Sequence, residues 1–120
     1  QEIHDELNTC VFKSQITVEG QNLATLVILD NSIYGMVRIM VAEKALNPGN
    51  EERLRKMVDE LNGGYKMFKY YFAKDSSLIL DVCLLEPAEK TDGDMIYTIL
   101  KVVIEHLESK YRDIMKAIWA

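Results

Sequence analysis

The residue types that could carry chemistry are few and scattered. Two histidines, His4 and His106, each stand alone in the sequence. General acid–base work needs a positioned partner with a matched pKa, and no sequence neighbour supplies one. His106, beside Leu107, therefore reads as a packed or surface histidine. Two cysteines, Cys10 and Cys83, fall in strand-like runs. A buried thiol there behaves as a small hydrophobe, whereas a reactive one needs an electropositive, accessible setting. No His/Cys pair has zinc-ligand spacing. Glu86, Glu89, Asp92 and Asp94 invite a calcium loop, but neither register works. A loop starting at Asp92 puts Val103 where the last carboxylate belongs, and one starting at Asp94 puts Ile99 where glycine must turn the chain. Capping of the last helix by Asp92 or Asp94 is the better account. Gly63-Gly64 follows a helix instead of opening one, so it is no phosphate cradle. Half of the aromatic residues lie in Tyr65, Phe68, Tyr70, Tyr71 and Phe72, interleaved with Lys66 and Lys69. Bases can stack on exposed rings beside cations. The glycine-containing ribonucleoprotein pattern is absent, however, and 19 acidic against 14 basic residues give a net charge of −5, which repels phosphate backbones. Core or interface packing is the reading. The expectation is a protein with no catalytic residue, no metal, no cofactor and no nucleic-acid partner.

The elements that position these residues can be read from spacing. The 120 residues, 48% of them hydrophobic, suit one α+β domain over residues 1–120. Such a chain can bury a core without disulfides or metal, and no run of about 20 apolar residues offers a membrane span. Ile3 and Leu7 suit the last turns of a helix. Gln1 in place of Met leaves room for a preceding segment, and residues 1–9, with Asp5 and Glu6, lack the apolar stretch of a signal peptide. A reducing, cytoplasmic setting follows as the default. Residues 10–19 alternate, with Phe12, Ile16 and Val18 on one side, as a half-buried strand does. Gly20-Gln21-Asn22 reads as a turn, Leu23 to Leu29 as a central strand and Asp30-Asn31-Ser32 as a second turn. Residues 33–42 give a third strand with Tyr34, Met36, Arg38 and Met40 on one face. Asn50 is placed to cap a helix whose stripe is Leu54, Met57, Val58 and Leu61, ended by a left-handed residue at Gly63-Gly64. Tyr65 to Phe72 and Ser77 to Leu85 make a hairpin about Lys74-Asp75-Ser76. A final helix runs to about Ile118. The order is α+β with a twisted antiparallel sheet of about five strands.

Glu60-Leu61-Asn62, then Tyr65, Phe68, Lys69 and Tyr71, Asp75 at the hairpin, the apolar strand Leu78 to Leu85 and the ending Tyr111 to Trp119 resemble the YbjN-type family of bacterial sensory transduction regulators. The front half fits in order of elements more than in residues. The resemblance implies a type III secretion chaperone-like fold, (α)-β-β-β-α-β-β-α, usually a homodimer, in which only residues 1–7 stand for the first helix. It also implies a bacterial, non-enzymatic protein that acts through protein contacts.

The strands Leu23–Leu29 and Ser77–Leu85 carry large apolar residues on both faces, and the start of the last helix is widely apolar. Helices usually cover one face of such a sheet, so apolar surface should remain for a partner. The expected function is a chaperone-like or regulatory adaptor, acting as a homodimer and binding a segment of a client protein, with no membrane partner. Contact residues are expected among Tyr34, Met36, Met40, Tyr70, Phe72 and Leu80. The alternative is a regulatory sensor holding a small apolar ligand between sheet and helix.

Overall fold

Alternation in the first forty residues and two helical stripes beyond them become a single sheet with two helices on one side. A computed structural model describes residues 10–29, 35–65, 68–84 and 93–119. Its elements are β1 (Cys10–Val18), β2 (Gln21–Leu29), β3 (Gly35–Ala42), α1 (Glu51–Gly64), β4 (Phe68–Phe72), β5 (Leu78–Leu84) and α2 (Gly93–Trp119). The five strands are antiparallel throughout, in the spatial order β1-β2-β3-β5-β4. This is the α+β layout expected. The expected tail helix in residues 1–7, His4, the turn at 30–32 and the acidic group Glu86, Glu89 and Asp92 lie outside the described residues. No described helix is long and apolar enough to cross a membrane.

The β1–β2 turn differs from expectation. It is Glu19-Gly20, with φ of 50° and 79°, and Gln21 and Asn22 already belong to β2. Two consecutive positive φ values make a type I′ turn, whose twist matches that of the flanking strands. Gly20 adopts the left-handed conformation at no steric cost. Glu19 does not, but its carboxylate reaches Arg112 of α2 at 3.4 Å.

Cross-strand register fixes which side chains share a face. Thr25 lies opposite Ile39, Ile39 opposite Leu80, and Leu80 opposite Tyr70. That face is the core. Val37, Ile39, Tyr70, Leu78, Leu80 and Val82 on it are fully buried. From above, α1 inserts Leu54 and Leu61, and α2 inserts Val103, Leu107, Ile114 and Ile118. The α1 stripe was read correctly because Leu54, Met57, Val58 and Leu61 recur at three- and four-residue spacing.

Two helix ends are built otherwise than their sequence suggests. The side chain of Asn50 makes no cap hydrogen bond to α1. Its Nδ2 donates instead to the carbonyls of Ala45 (2.8 Å) and Ile118 (3.0 Å), and its Oδ1 accepts from the Asn47 N–H (2.9 Å). Arg53 Nε donates to the Ala117 carbonyl at 2.6 Å. The last carbonyls of a helix lack partners within it, so the start of α1 caps the end of α2. At the other end, Gly63 and Gly64 stay helical, and Tyr65 follows in an extended conformation with φ −132°. No left-handed glycine is needed there. Among the described residues, strand β4 starts at Phe68, later than the Tyr65 expected.

Candidate functional site

The helices cover one face of the sheet. The opposite face is built from the alternate residues: Leu26 and Ile28 of β2, Met36, Arg38 and Met40 of β3, Ile79, Asp81 and Cys83 of β5, and Tyr71 of β4. Leu26, Ile28, Met36, Met40 and Tyr71 are half-buried, and Ile79 is buried. Cys83, expected to pack as a small hydrophobe, is exposed, because its parity places it on this face, opposite Met36.

A charged pair sits in the middle of this apolar surface. Arg38 and Asp81 are direct cross-strand partners. The guanidinium grips the carboxylate with two parallel bonds, Nε to Oδ1 at 2.9 Å and Nη2 to Oδ2 at 3.1 Å. Such bidentate pairs are the strong form of the ion pair. Nη2 also meets the Met36 sulfur at 3.3 Å, and the guanidinium carbon stands 5.9 Å from the centre of the Tyr71 ring. The Asp81 side chain is 10% exposed and that of Arg38 37%. The hydrogen bond that the guanidinium donates to Asp81 raises the Arg38 pKa, so the cation is permanent. Burial, and then the negative charge of Asp81, push the Tyr71 phenol upward. Neither Arg38 nor Tyr71 is poised to trade a proton near neutrality. The arrangement can orient and bind, since Arg38 keeps Nη1 outside the pair in the middle of an apolar strip.

On the core side lies a second polar pair. The Tyr70 hydroxyl is 2.7 Å from His106 Nε2. The imidazole is boxed by Phe68 and Tyr65, with ring centroids at 4.3 and 4.5 Å. Burial, with a smaller contribution from Lys110, lowers the His106 pKa, and burial raises that of Tyr70. In the neutral imidazole this contact is one hydrogen bond: the phenol donates to Nε2 in the Nδ1–H tautomer and accepts from it in the other. The sequence left His106 either packed or at the surface; it is packed, 8% exposed.

The six expected contact residues do not form one surface. Met36 and Met40 are half-buried on the face away from α1 and α2. Tyr34 lies outside the described residues. Tyr70 and Leu80 are core residues, 1% and 0% exposed, and that part of the expectation is corrected. Phe72 shares their face at its margin, with the Arg55 guanidinium carbon 5.4 Å from its ring centre. The reason is parity: within β4 and β5 the even-numbered residues face the helices, whereas in β3 they face away. Arg38, Leu26 and Ile28 could have been found by following the Met36 face across one strand. Asp81 and Tyr71 could not, because their neighbourhood depends on β3 lying beside β5.

No protein-family model matches the chain, and comparison with curated proteins finds no match.

Proposed function

We propose that this chain is a non-enzymatic adaptor, chaperone-like or regulatory, which acts as a homodimer and binds an extended segment of a partner protein on the sheet face away from α1 and α2. The observation that carries the reading is an apolar strip, Leu26, Ile28, Met36 and Met40, left half-open by both helices around a bidentate Arg38–Asp81 pair. Apolar side chains of a bound segment supply affinity there, and the outer amino group of Arg38 offers a donor to a segment carbonyl. Membership of the YbjN-type family, with its bacterial, cytoplasmic setting, belongs to the same proposal and is supported by the shared order of elements. The ligand-sensor alternative is the weaker reading: Leu54, Leu80, Val103, Leu107 and Ile114 pack the middle of the space between sheet and helices, and the cavities between the strands and α2 lie open at its margins, lined by polar as well as apolar residues.

The test is a variant carrying Ile28→Lys and Met36→Lys. Both positions are half-open, so each change is expected to destabilise by only about 1 kcal/mol, well below the roughly 2–5 kcal/mol of a large truncation in the core. Proteins retained from the native host by the immobilised chain should be lost in this variant while its circular dichroism stays unchanged. Retention of the same proteins at the same level would overturn the binding face.

A further inference from the structure

The two edges of the sheet are finished differently. At the β4 edge, Asn62 of α1 takes the place of a further strand: its Oδ1 accepts the Tyr70 N–H at 2.7 Å and its Nδ2 donates to the Tyr70 carbonyl at 3.0 Å. At the β1 edge, among the described residues, no backbone group is bonded from outside. Which groups point outward there follows from the hairpin. A two-residue turn makes Val18 and Gln21 exchange both hydrogen bonds, and bonded pairs then alternate. Even-numbered residues of β1 bond β2, so Val11, Lys13, Gln15 and Thr17 aim their N–H and C=O groups away from the sheet. Carried across the registers, the same alternation turns Tyr70 outward at the far edge, where Asn62 indeed meets it.

Beside the free edge runs an open groove between β1 and α2, lined by Ile16, Thr17, Tyr97, Leu100, Lys101 and Ile104, with Glu105 and Glu108 along its rim. Phe12 and Tyr97 stand 42% and 69% exposed on these two elements. A nine-residue uncovered strand is a template for another strand.

Resting on the homodimer reading above, we infer that the occupant is a second copy of this chain, β1 pairing antiparallel with β1 about a two-fold axis at Gln15, so that the sheet continues across the dimer and the two α2 helices lie side by side. Charge selects this register. Outward-facing residues must meet outward-facing residues. An axis at Lys13 would set that lysine against its own copy. The Glu19–Arg112 contact, together with the groove that brings Gln15, Ile16 and Thr17 beside Leu100, Lys101, Ile104 and Glu105, sets the level of α2 against β1. With about 3.3 Å per strand residue and about 1.5 Å per helix residue, Gln15 is level with the neighbourhood of Val103, and Ser14 with that of Lys101. An axis at Ser14 therefore brings Lys101 against the partner's Lys101. The axis at Gln15 instead sets Lys101 beside the partner's Glu105, Ile104 beside the partner's Leu100, and Lys13 beside the partner's Thr17. Of these three registers, only the axis at Gln15 makes the surface self-complementary in charge.

Light scattering on the full chain, together with two variants, decides the matter. Gln15→Pro removes an outward N–H that no intrachain bond uses, and edge positions tolerate proline. It should halve the mass from that of a dimer to the 13.8 kDa of one chain. Gln15→Cys, with Cys10 and Cys83 changed to Ser, should form a disulfide-linked dimer under mild oxidation, since residues at the axis face themselves at about 5.5 Å between Cα atoms. Lys13→Cys in the same background should not. A dimer that survives Gln15→Pro, or a Gln15→Cys chain that fails to cross-link, overturns the β1 interface and leaves the homodimer reading standing. A monomeric wild type overturns both. Should the proline variant fail to fold, the cross-link alone decides.

Discussion

His106 shows what a titratable residue does when it is packed and not poised. Its box of Phe68, Tyr65 and the Tyr70 hydroxyl favours the neutral ring. Its native pKa lies below the ordinary value of about 6.5 that the unfolded chain retains. Below that pH the unfolded state binds the extra proton, so this contribution is whole above about pH 6.5 and is lost as pH falls towards the lower native pKa. The double variant Tyr70→Phe with His106→Phe removes donor and acceptor together and leaves no buried orphan. Its urea midpoint is expected to fall less than that of wild type between pH 7.5 and pH 5. Equal falls would show that His106 titrates normally. Its isolation in the sequence argued against catalysis but left it either packed or at the surface. Its partner was not legible, because Tyr70 lies 36 positions away and meets it only once β4 lies under α2.

At the level of elements, the finish of the β4 edge depends on one side chain. Asn62→Ala withdraws two hydrogen bonds from Tyr70 and reopens a strand edge. Solvent can replace those bonds, so the stability loss should be modest, about 1 kcal/mol. Aggregation on warming at high concentration should rise several-fold, read as scattered light. A variant that scatters no more than wild type would show that the edge is guarded by something else. Most elements were readable in advance, since alternation and helical stripes report which face is buried. Their ends were less so. Gln21 and Asn22 looked like turn residues because the polar tip of an exposed hairpin and a turn have the same composition. Asn50 looked like a helix cap because the sequence does not reveal that the end of α2 would arrive beside it and claim its amide.

For the whole molecule, the order β1-β2-β3-β5-β4 divides the sheet into a three-stranded meander and a two-stranded hairpin. Each is built from neighbours in the chain. They meet along β3 and β5, where Met36 faces Cys83 and Val37 faces Val82, and where Arg38 clasps Asp81 across the seam. This long-range pairing was invisible in the sequence: alternation reports burial but not neighbours. It also sets the tempo of assembly. The meander and the hairpin close short loops, whereas the seam must close a loop that contains all of α1, and loop-closure entropy is spent before seam contacts reward it. Val82→Ala, which removes roughly 2 kcal/mol of packing from a fully buried position, should therefore slow folding in stopped-flow mixing. Ile16→Val in β1 should act mainly by hastening unfolding; the reverse pattern would mean that the meander forms last. The clasp that a partner segment would meet on the open face is, on this account, also the stitch that joins two independently forming halves into one folding unit.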